Sequence, residues 1–187
     1  MHCKIIGLFC FVLGASWLSE AVLTGSAIAE YDHDCKNVLP TANLMGFDGS
    51  FQGVLSAVNF QGERQPLETM LETHRVTSCT AFEADIRYAN PETGEETRAV
   101  KFSGQWDEAK RGFVLTGPLL QGLLRVVRPG QFVVNFETKF AGNPAHCDEM
   151  ITITNGAQQV IRSVQCFAGG IDGPSLGVRT ALGSRVP

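Results

Sequence analysis

Along the stretch CTAFEADIRY, Phe82, Ala84, Ile86 and Tyr88 fall on one side, with Glu83, Asp85 and Arg87 on the other. Alternation of apolar and polar positions with period two is the mark of a half-buried β-strand. NPETG at 90–94 reverses the chain, and TRAVKFSGQW then groups Val100, Phe102, Gly104 and Trp106 opposite Lys101, Ser103 and Gln105. After the turn DEAKRG, the runs GFVLTG and QGLLRVV predict two short strands. Pro129-Gly130 turns the chain again, into QFVVNFETKF, whose Phe132, Val134, Phe136 and Phe140 share a side. Gly142, Asn143 and Pro144 predict the end of that strand. MITIT, an Asn155-Gly156 turn and QQVIRSVQCF predict a hairpin, and SLGVRTALG a closing strand.

With the opening run from Phe47 and the stretch near 67–77, turn placement predicts about ten strands in sequence-neighbour order. Within PLETMLETHRV, Leu67, Met70, Leu71 and His74 also fall at i, i+3, i+4 and i+7, so a short helix capping one end is the alternative to a strand there. Consecutive short hairpins without long crossovers point to an all-β, up-and-down antiparallel barrel of about 8–10 strands rather than a two-sheet sandwich. Closure removes exposed strand edges, and a barrel of that size encloses more room than one layer of side chains fills.

The start of the chain reads differently. An apolar run from Ile5 to Leu18 leads to TGSAIA, where Ala27 and Ala29 make the small-x-small pattern of signal-peptidase cleavage. The run is too short for a good membrane span. The expected organisation is therefore a signal peptide over 1–29, cut after Ala29, an N-terminal arm over 30–46 and one β-barrel domain over 47–187. The product is expected in the periplasm or outside the cell.

Of the 187 residues, 15 are Lys or Arg and 19 are Asp or Glu, for a net charge of −4. Removing 1–29 takes one Lys and one Glu and leaves the charge unchanged. The basic residues form no cluster that would track phosphates, and no basic amphipathic face, so neither nucleic acid nor an anionic membrane surface is an expected partner. Cys3 and Cys10 leave with the signal, and Cys35, Cys79, Cys147 and Cys166 remain, without C-x-x-C spacing. In an exported chain these read as two disulfides. The predicted hairpin brings Cys147 within about two positions of Cys166, which would leave Cys35 to Cys79. A zinc site is the alternative, although the spacings match no common pattern.

Gly49-Ser50-Phe51, within FDGSFQG, resembles the Gly-x-Trp opening of calycins, the lipocalins, fatty-acid-binding proteins and nitrobindin-like barrels, with Phe in place of the usual Trp. The resemblance implies that Phe51 packs at the closed end of a barrel under an Arg from the last strand, a part open to Arg179 or Arg185. Haem binding of the nitrobindin kind needs a His near the C-terminal strands. None follows His146, so no haem and no other cofactor is expected.

Candidate chemistry is sparse. Gly173-Pro174-Ser175-Leu176-Gly177 satisfies G-x-S-x-G, but no acid or His follows Ser175 to complete a hydrolase triad, so the segment reads as a turn before the last strand. His33 sits between Asp32 and Asp34, which reads as an acidic arm rather than a metal site. Cleavage after Glu30 instead of Ala29 would make His33 the third residue, a spacing that resembles amino-terminal copper-binding peptides. His146 precedes Cys147, whose expected disulfide takes precedence over thiol–imidazole catalysis. His74 with Glu72 is a general acid–base candidate, but no nucleophile or orienting partner can be assigned, so no residue is named catalytic.

The aromatic positions of the inner face carry more. Phe51, Phe82, Tyr88, Phe102, Trp106 and Phe136 are the expected walls of a ligand cavity, with Arg162 as a polar anchor whose burial requires a partner, either an acidic ligand or a Glu. The expected function is non-covalent binding of a small, mainly hydrophobic molecule. The alternatives are a barrel-type isomerase or cyclase, for which a pair such as His74 and Glu72 would point inward, and a structural or interaction protein with a filled core.

Overall fold

A computed structural model of the chain describes residues 44, 46–140, 142–154 and 156–187. Ten strands run in chain order: β1 (Gly49–Val58), β2 (Glu68–Ser78), β3 (Ala81–Ala89), β4 (Glu96–Asp107), β5 (Gly112–Thr116), β6 (Leu120–Arg128), β7 (Gln131–Phe140), β8 (Asn143–Thr154), β9 (Gln159–Ala168) and β10 (Ser175–Arg185). Each pairs antiparallel with its sequence neighbour, and β1 also pairs with β10, closing the barrel. The expected up-and-down architecture is present.

Two local expectations are corrected. Residues 68–78 form a strand, not a capping helix. Met70, Glu72, His74 and Val76 are buried at every second position, whereas Leu67 and Leu71, which completed the helical spacing, are 53% and 42% exposed. Strand β8 starts at Asn143, well before the MITIT run, and Pro144 lies within it, opposite Lys139. A proline is accommodated there because the ladder is only beginning. The pairing of β8 with β9 through Thr154 and Gln159 makes the expected hairpin. Asn155 of its turn lies outside the described residues.

The lumen is built in three levels. At one end Phe51, Phe82, Phe113, Phe132, Leu115, Leu124, Ile151 and Val160 form a dry floor, and Leu44 and Phe47 close it from below. The floor rings meet edge to face, Phe82 on Phe113 at 5.4 Å and on Phe102 at 6.2 Å, the arrangement that aromatic quadrupoles favour. Gly104 of β4 makes room for this, since a Cβ there would run into the Phe82 ring. Above the floor lies a belt of charged side chains, and above the belt an opening.

Gly49-Ser50-Phe51 explains how the floor is pinned. Gly49 has φ 118° and its missing Cβ leaves space for the Arg185 guanidinium, a backbone state that favours glycine. Arg185, opposite Phe51 in the β1–β10 ladder, lies over the Phe51 ring at 4.7 Å. It donates to the backbone carbonyls of Asp48 at 2.7 Å, Gly46 at 2.9 Å and Ala157 at 2.7 Å. The arginine that covers the aromatic is thus Arg185. Arg179 stands at the other end of the lumen, where it lines the opening.

Cys147 and Cys166 face each other directly in the β8–β9 ladder and are disulfide-bonded, with a Cα–Cα distance of 4.1 Å. Cys79 is also a disulfide cysteine. Its expected partner Cys35 lies outside the described residues, as do the expected signal peptide and all of the 30–46 arm except Leu44 and Gly46.

Candidate ligand cavity

The charged belt follows from strand alternation. Glu72 on β2, Glu149 on β8 and Arg162 on β9 each take an inward position, between Met70 and His74, Cys147 and Ile151, and Val160 and Val164 respectively. Glu72 is 0% and Arg162 6% exposed, and charges this deep are retained only when paired. Arg162 Nε donates to Glu149 Oε1 at 2.6 Å and Nη2 to Oε2 at 3.2 Å, a two-pronged contact. Its Nη1 lies 2.9 Å from Glu72 Oε1, an ion pair across the lumen between strands that β1 and β10 separate.

Glu72 in turn bonds His74 Nε2. The His74 ring packs against Phe47 with centroids 3.6 Å apart and the planes tilted by 39°, so the belt rests on the floor. Burial opposes ionisation of Glu72, but the Arg162 charge and the His74 contact overcome it and hold its pKa at about 2. Burial keeps His74 below its ordinary 6.5 despite Glu72. The imidazole is therefore neutral and donates from Nε2 to the carboxylate. Burial raises Glu149 above its ordinary 4.5 against the pull of Arg162. The two carboxylates of one arginine are thus driven apart, and the one nearer the opening is the one that holds a proton more readily.

Above the belt lies a cavity of about 440 Å³. Its apolar wall includes Leu55, Met70, Ile86, Val100, Phe136 and Ala181, with Glu149 and Arg162 also in its lining. Around the opening stand Tyr88, Arg98, Glu68, Phe140 and Arg179. Arg98 pairs with Glu68 at 2.9 Å and lies over the Tyr88 ring at 3.8 Å. Burial raises the Tyr88 phenol above its ordinary pKa, so it remains a neutral hydrogen-bonding group facing the cavity.

Of the residues expected to form ligand walls, Tyr88, Phe136 and Arg162 line this cavity. Phe51 and Phe82 belong to the floor. Phe102 packs between the floor and the cluster of Leu55, Met70, Ile86 and Ala181. Trp106 packs edge to face on Phe113 at 5.2 Å, and its Nε1 donates to Glu108 at 2.7 Å. His74 and Glu72 point inward but are not part of the cavity lining. His146 faces out and bonds Glu137 at 2.6 Å and Asp148 at 3.1 Å. No group of three or more His, Cys, Asp or Glu residues suited to a metal occurs among the described residues.

Glu149 was not anticipated, although Cys147, Glu149, Ile151 and Ile153 alternate in the sequence as inward residues do. The strand that the MITIT run predicts begins at Met150, one residue past Glu149.

No family model matches the chain, and no curated protein matches it. Among solved structures it is similar to the S-type phycobiliprotein lyase CPES from Guillardia theta, with a TM-score of 0.54 and 13% identity over 79% of this chain and 92% of that one. It is also similar to Rv2717c from M. tuberculosis, with a TM-score of 0.59 and 11% identity over 79% of this chain and 98% of that one. Both are ten-stranded antiparallel barrels of the calycin-like type, so the chain shares that fold.

Proposed function

We propose that this protein binds a small, mainly apolar molecule non-covalently in the open half of its barrel. The observation that carries the reading is the division of the lumen. The floor aromatics fill one half, whereas the other half keeps a cavity of about 440 Å³, within the size range of small-molecule sites and with their usual makeup of apolar walls and a few placed polar groups. A structural protein with a filled core has no need of this space. We further place the protein in the periplasm or outside the cell. The Cys147–Cys166 disulfide supports an oxidising compartment, and N-terminal sequencing of the purified protein tests cleavage after Ala29.

A barrel-type isomerase or cyclase is the second reading, favoured by the inward Glu72–His74 pair. A substrate in the cavity meets Glu149 and Arg162 rather than His74, so an enzyme would work through Glu149 as proton donor. One structural neighbour is a phycobiliprotein lyase, and at 13% identity it speaks for the fold alone.

Native mass spectrometry of protein purified from its own source tests binding. The expected result is a bound mass of a few hundred daltons, typical of ligands for pockets of this size, that organic extraction removes. A bare mass, with no uptake from a panel of lipids and polyphenols, would overturn the reading.

A further inference from the structure

The outer surface of the barrel divides by charge. Glu83, Asp85 and Arg87 of β3 and Lys101 of β4 face outward and pair there. Across the β1–β10 seam the pattern is reversed. Arg162, Arg179 and Arg185 are the only charged residues of β1, β9 and β10, and they serve the belt, the opening and the floor. The twelve outward positions of these strands are every second residue over 52–58, 159–165 and 178–184. Among the described residues they carry only Gln, Ser, Thr, Val, Leu and Ile.

The apolar members of this face line up. Ladder register sets Val54 opposite Leu182 and Leu182 opposite Ile161, so three strands contribute one row, its members 48%, 56% and 40% exposed. Val58 and Val178 form a second exposed pair on the same strands, and Leu71 of β2 and Met150 of β8 flank the face. A solvated outer strand face ordinarily carries charges that keep copies apart. An uncharged face with a spine of exposed aliphatic side chains has instead the makeup of an interface core. Charge also selects the occupant. The face offers no Lys or Arg to an anionic lipid surface, and the charges of a polar partner would lose water there without gaining a counter-charge. A second copy brings the same neutral face. For chains of net charge −4, which repel one another elsewhere, this is the side on which approach costs least.

We propose that the outer face of β1, β10 and β9 is the interface of a homodimer whose two-fold axis runs along β10 through Leu182. Leu182 is the middle of the row, so this axis lays it on its own counterpart and sets Val54 of each copy on Ile161 of the other, as an isologous contact requires. From β2 to β8 the face spans five strands about 4.8 Å apart and seven residues rising about 3.3 Å each, a footprint of about 450 Å² on each copy. About 900 Å² for the pair is at the low end of specific interfaces, so the dimer exchanges with monomer in the micromolar range. It stands whether or not the cavity holds a ligand.

Sedimentation velocity from about 1 µM to about 500 µM tests the interface. The wild type is expected to move from monomer to dimer across this range. Leu182→Lys brings two like charges together at the axis and should weaken association at least about tenfold, whereas Val127→Lys, the same change at an exposed apolar residue of β6, should leave it unchanged. Val54→Glu and Ile161→Lys should each remain monomeric alone and associate when mixed, which decides the matter even if Leu182→Lys fails to fold. A wild type that stays monomeric throughout, a dimer that survives Leu182→Lys or is weakened equally by Val127→Lys, or a mixture that does not associate overturns the proposal. So does a monomer that floats with neutral phosphatidylcholine vesicles and loses this with Leu182→Lys, which would assign the face to a membrane.

Discussion

Arg162 holds two carboxylates that repel each other, and its removal leaves both buried without a counter-charge. Breaking such a cluster costs about 3–5 kcal/mol, so Arg162→Leu is expected to lose that much in denaturant unfolding. Glu149→Gln should cost about 1 kcal/mol or less, because burial already favours the uncharged form of that side chain. Equal losses in the two variants would contradict the assignment.

Acidity probes the same residues. Glu72 has a folded pKa of about 2 against an ordinary 4.5, so its stabilisation is complete above about 4.5 and is lost as pH falls toward 2. His74 is held below 6.5; as pH falls from 6.5 the unfolded chain takes up a proton that the fold resists, and stability falls there too. Glu149, raised by burial, acts in the opposite sense, losing stability as pH rises above 4.5. His146, raised first by its bond to Glu137, does likewise as pH rises above 6.5. His74→Gln keeps a donor for Glu72 and removes only the His74 contribution. Thermal melts of this variant should show a shallower loss of stability between pH 6.5 and 5 than the wild type, and parallel profiles would refute a buried, neutral His74.

At the scale of elements, the β1–β10 seam is what makes a barrel of a meander. Phe51 is paired there with Arg185 and Glu72, so one residue of β1 touches both the cover of the floor and the belt. Arg185→Ala removes three bonds to backbone carbonyls and the cover over Phe51, an expected loss of about 2–4 kcal/mol. Early hydrogen exchange at β1 and β10 is its expected signature; a variant as protected as the wild type would show that the seam does not depend on it. Across the barrel, replacing Cys147 and Cys166 together by Ser should cost about 2–4 kcal/mol, measured by unfolding without reductant.

The same elements show what was legible in the chain. Alternation and turn residues announce about ten strands, with β2 ambiguous, and bring Cys147 within about two positions of Cys166, since both follow from period two and from hairpin register; the direct opposition is set by the register of the β8–β9 ladder. The β2 ambiguity arose because Leu67 and Leu71 are apolar yet outward, which gives a spurious helical period. Period two also marks which residues face the lumen. It cannot say at which height along the axis they stand, because height depends on strand tilt and stagger. That is why Phe51, Phe82 and Trp106 looked equivalent to Tyr88 and Phe136, and why Arg162 was foreseen without Glu149 as its partner.

For the whole molecule, the account places a packed floor, a paired charge belt and a binding cavity along one axis. Ligand should therefore be felt at one end only. Trp106, packed at the floor, is a poor reporter, and its emission should hardly respond. The most direct test is heteronuclear NMR of the isotope-labelled protein during titration with a small apolar ligand. Shifts confined to cavity residues such as Leu55, Ile86, Phe136 and Ala181, with Phe82, Phe113 and Trp106 silent, are the predicted result. No shifts with any ligand of a broad panel, or shifts centred on the floor or the outer surface, would contradict the claim that the open half of the barrel is a binding site.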